Sequence, residues 1–258
     1  MGILNITPDS FSDGGKFFNH NVALSRAIQL EAEGADIIDI GAESTRPGAK
    51  VISAEEEISR LFPLLEKILE KVSVPVSIDT TKARVADRAL SCGVSIVNDV
   101  SGLRADPEIA DVVCRYEAGI ILMHSRGTPE TMQTLTNYDD LVSGIFCELS
   151  ASVEFAKAAG ISEEQIAVDP GIGFAKTREQ CFEIVNRFSE FQKFGRPLVA
   201  GASRKSFLGQ TDEGAPETRA SRSAAVAALL AERGANVLRV HDVRLTKDAV
   251  NATKELMA

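Results

Sequence analysis

Five stretches of this chain run through one pattern: the tail of an amphipathic segment, a glycine, a short apolar run, then polar residues. They are AEGADIIDIGAEST, SCGVSIVNDVSG, YEAGIILMHSRG, KAAGISEEQIAVDPG and ERGANVLRVHDV. Gly34, Gly93, Gly119, Gly160 and Gly234 each stand where a helix should stop, at the position that favours a left-handed glycine cap. The runs behind them lack strict alternation, as parallel strands covered on both faces do. With the less clearly flanked runs added, the pattern predicts eight strands, at 1–6, 36–41, 76–79, 95–99, 119–124, 166–169, 197–201 and 236–241. A helical pattern follows each of them. One such helix opens on Ser53 and Glu56, a capping-box spacing, and contains Pro63, which predicts a kink. Eight βα units in 258 residues without a linker predict a single domain, 1–258, folded as a TIM (β/α)8 barrel. A doubly wound open sheet is the alternative.

Charge and composition narrow the function classes. The formal net charge is −9 and no block of Lys or Arg stands out, which argues against nucleic acid or an anionic membrane as the main partner. No apolar run approaches the length of a membrane span, and no secretory leader is evident at the front. Cys92, Cys114, Cys147 and Cys181 are scattered over helical segments without CxxC spacing. They read as buried, reduced thiols in a cytoplasmic protein.

In such a barrel the strand C-termini face one mouth, where chemistry sits. The residues ending the predicted strands are Asn5; Glu43, Ser44 and Thr45; Asp79; Asn98 and Asp99; His124; Asp169; Ser203 and Lys205; Arg239 and His241. Any one of them could be a helix N-cap, but a whole ring of hydrogen-bonding groups around one pocket costs desolvation that a ligand can offset. Asp79, Asn98 and Asp169 offer carboxylate and amide edges suited to a flat heterocycle. Lys205, Arg239 and His241 offer positive or switchable groups suited to phosphate. Asn5 offers a neutral oxygen, compatible with Mg²⁺ held largely by a diphosphate. Other motifs fail: GIGFAK has Lys176 where a dinucleotide fingerprint needs its third glycine, and no GxxxxGK[ST], HExxH or GxSxG occurs.

Eight segments in order, MGILNITPDSFSDGG, GAESTRPGA, SIDT, NDVSG, MHSRGTP, DPGIGFAKT, GASRKSFLG and RVHDV, together resemble the dihydropteroate synthase family from Gly2 to Val243. The resemblance implies a TIM barrel that condenses 6-hydroxymethyl-7,8-dihydropterin diphosphate with 4-aminobenzoate, giving 7,8-dihydropteroate and diphosphate. It implies a pterin slot of Asp79, Asn98, Asp169 and Lys205, walled by Met123 and Phe174. It implies Asn5 as a ligand of Mg²⁺–diphosphate, with Arg239 and His241 as diphosphate anchors and Ser44 and Arg46 adding contacts. Pro8, Phe11, Thr45, Arg46, Pro47, Lys205 and Ser206 fall where 4-aminobenzoate is expected. Thr7 to Gly15 then reads as a lid that Phe11 closes.

The implied reaction needs no protein nucleophile. Diphosphate leaves with its electrons, Asp79 steadies the cation left on the pterin, and the aniline nitrogen attacks, with Asp79, Lys205, Arg239 and His241 as the catalytic set. The family is commonly dimeric through outer helices, so a homodimer is expected. Family members often carry a small hairpin ahead of the first motif; strand one begins here at Met1, which bears on stability rather than chemistry. His124 is read as a satisfied histidine without a catalytic task, Arg126 and Arg204 as partners of carboxylates, and Glu43 and Asp99 as caps or supports. A methyltetrahydrofolate methyltransferase-like pterin barrel and a non-catalytic pterin binder are the rival readings. Neither needs Asn5, Arg239 and His241 as a diphosphate site.

Overall fold

A computed structural model describes residues 1–6, 16–46, 48–209 and 216–257. Strands and helices alternate along the chain: β1 Gly2–Asn5, α1 Lys16–Ala32, β2 Ile38–Gly41, α2 Ala54–Lys71, β3 Val76–Asp79, α3 Ala83–Ser91, β4 Ile96–Asp99, α4 Ile109–Arg115. The second half continues with β5 Gly119–Met123, α5 Leu141–Ala158, β6 Ile166–Asp169, α6 Arg178–Asn186, β7 Val199–Ala200, α7 Ala220–Glu232, β8 Val237–Leu238 and α8 Val243–Met257. All neighbouring strands are parallel, in the order β1 to β6, and β7 pairs with β8. Parallel bridges Val168↔Leu198 and Gly2↔Val240 join the two sets, so the eight strands close into a barrel. The expected eight strands are all present; β7 and β8 are shorter than expected, because only two residues of each pair with the other. The open-sheet alternative fails on the β8 to β1 contact, where Ile3 N donates to Val240 O at 2.9 Å and Val240 N to Met1 O at 2.9 Å.

Side chains alternate across each strand, and this sets the layers. Ile38, Ile40, Ile78, Val97, Ile120, Leu122, Val168, Leu198 and Ala200 point out and form the main core with the helices. Met1, Ile121 and Val199, with Ile37, Ile96, Ala167 and Val237 against them, form a separate apolar plug inside the barrel. Moving two residues along each strand from that plug reaches Asp39, Asn98, Met123, Asp169, Gly201 and Arg239. The polar layer of the mouth therefore sits directly on the apolar plug.

Helix ends follow the sequence in most places. Gly34, Gly93, Gly160 and Gly234 have φ between 93° and 107°, so each uses backbone freedom that only glycine supplies cheaply. Gly119 is a correction: it opens β5, and Glu117, with φ 52°, takes the left-handed position instead. Ser53 caps α2 by accepting from Glu56 N at 3.2 Å, but Glu56 turns to Arg60 rather than closing the reciprocal box. The helix runs on through Pro63 to Lys71. The cysteines are free thiols, yet only Cys181 is buried and Cys147 is exposed, because they lie on different faces of their helices.

Candidate active site

Arg239 stands at the centre of the inward layer. Its Nε donates to Asp39 Oδ2 at 2.6 Å and its Nη2 to Asp79 Oδ2 at 2.5 Å. Asn98 Nδ2 also donates to Asp39 Oδ2, at 3.2 Å. Burial opposes the Arg239 charge, but Asp39 and Asp79 outweigh it and its pKa is raised. Burial raises the Asp79 pKa against the pull of Arg239. Asp39 Oδ1 is buried without a partner, and so is Ser77 Oγ on the adjacent strand. Sequence reasoning missed Asp39, because it looked for chemistry at strand ends and this carboxylate sits within β2. The signal was present as a charged residue inside the apolar run IIDIG.

Across the slot, Asp169 Oδ1 accepts from Gly171 N at 2.7 Å, and burial raises its pKa despite Lys205 nearby. Lys205 Nζ donates to Ile172 O and stands 4.5 Å above the Phe174 ring. Burial lowers its pKa to about 8, with Asp169 working the other way. Gly201, unremarked in the sequence, keeps the middle open: a Cβ there would lie 3.8 Å from Asp169 Oδ2 and 4.0 Å from Lys205 Nζ. Met123 ends β5 on the same inward face and is 4% exposed. The structure thus brings together Asp79, Asn98, Met123, Asp169, Phe174, Lys205 and Arg239. Their acceptors and cations surround a slot able to take a flat heterocycle carrying both N–H donors and ring acceptors.

The rim is built differently. His241 lies two residues beyond Arg239, and Ser203 Oγ accepts from its backbone N at 3.1 Å and sits 3.0 Å from Nδ1. Burial lowers the His241 pKa to about 3, with Arg204 and Arg239 adding to the effect. With no anion beside it, the ring is neutral near pH 7 and offers a hydrogen bond rather than a charge. Arg239 spends Nε–H and one Nη2–H on carboxylates, which leaves both N–H bonds of Nη1 and the second of Nη2 for an anion. Asn5, half-buried at the end of β1, sits in register with Gly41. Ser44 and Thr45 are half-buried beyond β2, while Arg46 and Ser206 are exposed. Pro8, Phe11 and Pro47, and with them the lid reading of Thr7 to Gly15, lie outside the described residues. Ile3, Arg26, Arg204, His241, Asp242 and Arg244 line a cleft of about 460 Å³.

Among the described residues no three His, Cys, Asp or Glu side chains gather as a metal cage. A single neutral oxygen at Asn5 fits an ion that arrives with its own phosphate ligands and keeps most of its waters.

The polar residues left without a task are structural. Glu43 accepts from Lys82 Nζ at 2.7 Å and from Ile52 N at 2.7 Å, anchoring the loop after β2. Asp99 accepts from Ser101 N and Leu103 N at 2.8 and 2.6 Å. Arg126 pairs with Glu148, and Arg204 with Asp242 through Nε at 2.9 Å and Nη2 at 2.6 Å. His124 is buried between Glu148 and Lys176 rather than open to the slot.

The chain matches the pterin binding enzyme family over residues 1–241 and belongs to it. Its relatives include the dihydropteroate synthase of Synechocystis sp., 47% identical over 94% of this chain and 84% of that protein. A crystal structure of dihydropteroate synthase from Clostridium difficile in the presence of pteroic acid superposes with a TM-score of 0.93 at 41% identity, covering 99% of this chain and 95% of that one. The Xanthomonas albilineans enzyme with 4-aminobenzoic acid gives 0.93 at 38% identity, covering 100% and 92%. The barrel and the family read from the eight motifs are therefore borne out. Among the described residues, no helix is long and apolar enough to cross a membrane.

Proposed function

We propose that this chain is a dihydropteroate synthase, joining 6-hydroxymethyl-7,8-dihydropterin diphosphate to 4-aminobenzoate with release of diphosphate. The observation that carries the reading is the inward layer itself, where Asp169 and Lys205 share one level of the barrel with Asn98 and the Asp39–Arg239–Asp79 cluster. Asp169 takes the 2-amino and N3–H edge of the pterin, and Lys205 its carbonyl and ring-nitrogen side. Asn98 adds an amide, and Met123 and Phe174 enclose the ring. Solved relatives with pteroic acid or 4-aminobenzoic acid support the same pair of substrates.

Bond cleavage is a matter of charge. As the C–O bond to diphosphate breaks, positive charge grows on the pterin, and Asp79 stabilises it from the slot floor. The Nη1 edge of Arg239 and the N–H of neutral His241 meet the departing oxygens, with Ser44 and Arg46 at the rim. Mg²⁺, held by Asn5 and the diphosphate, supplies leaving-group neutralisation when bound. Thr45, Arg46, Lys205 and Ser206, with Pro8, Phe11 and Pro47, are the residues assigned to 4-aminobenzoate, whose nitrogen then attacks. We assign the chain to the cytoplasm as a single-domain homodimer. Incubation with both substrates and Mg²⁺ tests the reading. Dihydropteroate and diphosphate in equal amounts, with a loss in Asn5→Ala, are expected; folded protein that yields no product would overturn it.

A further inference from the structure

The segment after β6 that lines the slot is held from behind by a buried lysine. Gly171, Gly173 and Ala175 have φ of 71°, 87° and 50°, so every second residue from 171 to 175 is left-handed, including one that is not glycine. Such backbone persists only where surrounding contacts over-determine it. Gly171 is also pressed against β5: a Cβ there would meet the His124 carbonyl oxygen at 1.8 Å. Lys176 closes the segment at 3% exposure. Its ammonium donates to Phe174 O at 2.8 Å and lies 3.0 Å from His124 Nδ1. His124 Nε2 in turn lies 3.1 Å from Glu148 Oε2, and Glu148 is gripped by Arg126 Nε at 2.9 Å.

The chain of bonds has a direction. Glu148 is a carboxylate and only accepts, so the imidazole proton sits on Nε2 and Nδ1 accepts from Lys176. Lys176 therefore spends its donors on Nδ1 and on the Phe174 carbonyl. On the slot side of the same segment, Ile172 O accepts from Lys205 Nζ and the Phe174 ring lies beneath that ammonium. Filling this space would need only an apolar side chain, whereas burying an amine, charged or neutral, costs free energy unless its directed bonds are needed.

We propose that Lys176 is a positioning residue for the pterin: through the Phe174 carbonyl it fixes the segment that sets Lys205 opposite Asp169. The proposal rests on the reading of the slot as the pterin site. The larger effect falls on the pterin, because Phe174 and the Lys205–Ile172 contact lie on its side of the slot; Lys205, shared with 4-aminobenzoate, passes a smaller effect to that substrate.

The experiment is steady-state kinetics of wild type, Lys176→Met, Glu148→Gln and Glu148→Leu with each substrate varied in turn. Lys176→Met keeps the volume and removes the donors. It is expected to raise KM for the pterin diphosphate about tenfold or more, as displaced binding groups do, with a smaller rise, about threefold or less, in KM for 4-aminobenzoate. Glu148→Gln keeps one acceptor oxygen for Arg126 or His124 and should shift the pterin KM less than Glu148→Leu. Glu148→Leu should shift the pterin KM in the same direction by less, and it carries the test if Lys176→Met does not fold. Equal changes in both KM values, or a lowered Tm with both KM values intact, overturn the proposal. A wild-type protein that makes no dihydropteroate instead overturns the reading of the slot.

Discussion

Asn98 and Asp99 are consecutive, polar and buried, yet they face opposite sides of the barrel wall and behave differently. Asp99 faces outward and spends both oxygens on the loop behind β4, holding Leu103 in a left-handed conformation with φ 66°. Asn98 faces inward, into a layer where Asp39 Oδ1 has no partner and Asp169 keeps Oδ2 unpaired toward the slot. Met123 and His124 repeat the contrast on β5: the inward residue walls the slot, and the outward one is bonded to Glu148 and Lys176. Buried polar groups that satisfy one another serve folding. Spare capacity inside the barrel marks the face proposed to meet a ligand; elsewhere it does not, since Glu57 Oε1 on α2 and Arg196 Nε before β7 are also buried without partners.

The sharpest way to break this contrast is Asp79→Asn. The amide oxygen can still accept from Arg239 and Asp39 keeps its bond to Arg239 Nε, so the fold persists, with Tm lowered because buried Arg239 loses one of its two countercharges. The loss of transition-state charge stabilisation should reduce kcat by about 10²- to 10³-fold. A kcat within a few-fold of wild type would show that the inward carboxylate is merely structural.

Lys205 sharpens the inward side through pH. With its pKa lowered to about 8, the ammonium is lost above that pH, so kcat/KM for the pterin diphosphate should fall there. The limiting slope is about tenfold per pH unit. A profile that stays level to pH 10 would remove Lys205 from pterin binding.

His124 gives the smallest effect, and it reads stability rather than turnover. Burial, aided by the Lys176 charge, lowers its pKa to about 4, below the unfolded value near 6.5. Its neutral form therefore contributes stability in full above about pH 6.5, and that contribution is lost as pH falls toward 4. Lys176, lowered to about 7, is already charged over most of this window. Denaturant unfolding of His124→Gln should lack about 1.4 kcal/mol per pH unit of the wild-type slope between pH 6.5 and 4. Parallel slopes would mean that His124 titrates normally.

Much of this was legible in the sequence because parallel barrel strands announce themselves as short apolar runs behind helix-stopping glycines. Asp79, Asn98, Asp169, Lys205 and Arg239 could be read as well, since a polar residue ending such a run has no folding reason to be there. What escaped was pairing and depth. Asp39 lies inside its strand, and its bond to Arg239 spans 200 positions in sequence. Lys176 registered only as the residue that spoiled a glycine motif, and its burial depends on α5 delivering Glu148 to the far side of His124. Even the neutral state of His241 follows from packing that local sequence does not encode.

The central claim, that the inward face binds and the outward face supports, is tested most directly by titrating the pterin diphosphate into Asp169→Asn and Asp99→Asn by calorimetry. Asp169→Asn should weaken binding by roughly 100-fold, having lost the charge and one acceptor that meet the two N–H donors, with Tm at or above wild type. Asp99→Asn should bind within about threefold of wild type but melt about 5 °C lower, because one loop amide loses its acceptor. Equal losses of affinity in the two variants, or wild-type affinity in Asp169→Asn, would contradict the account.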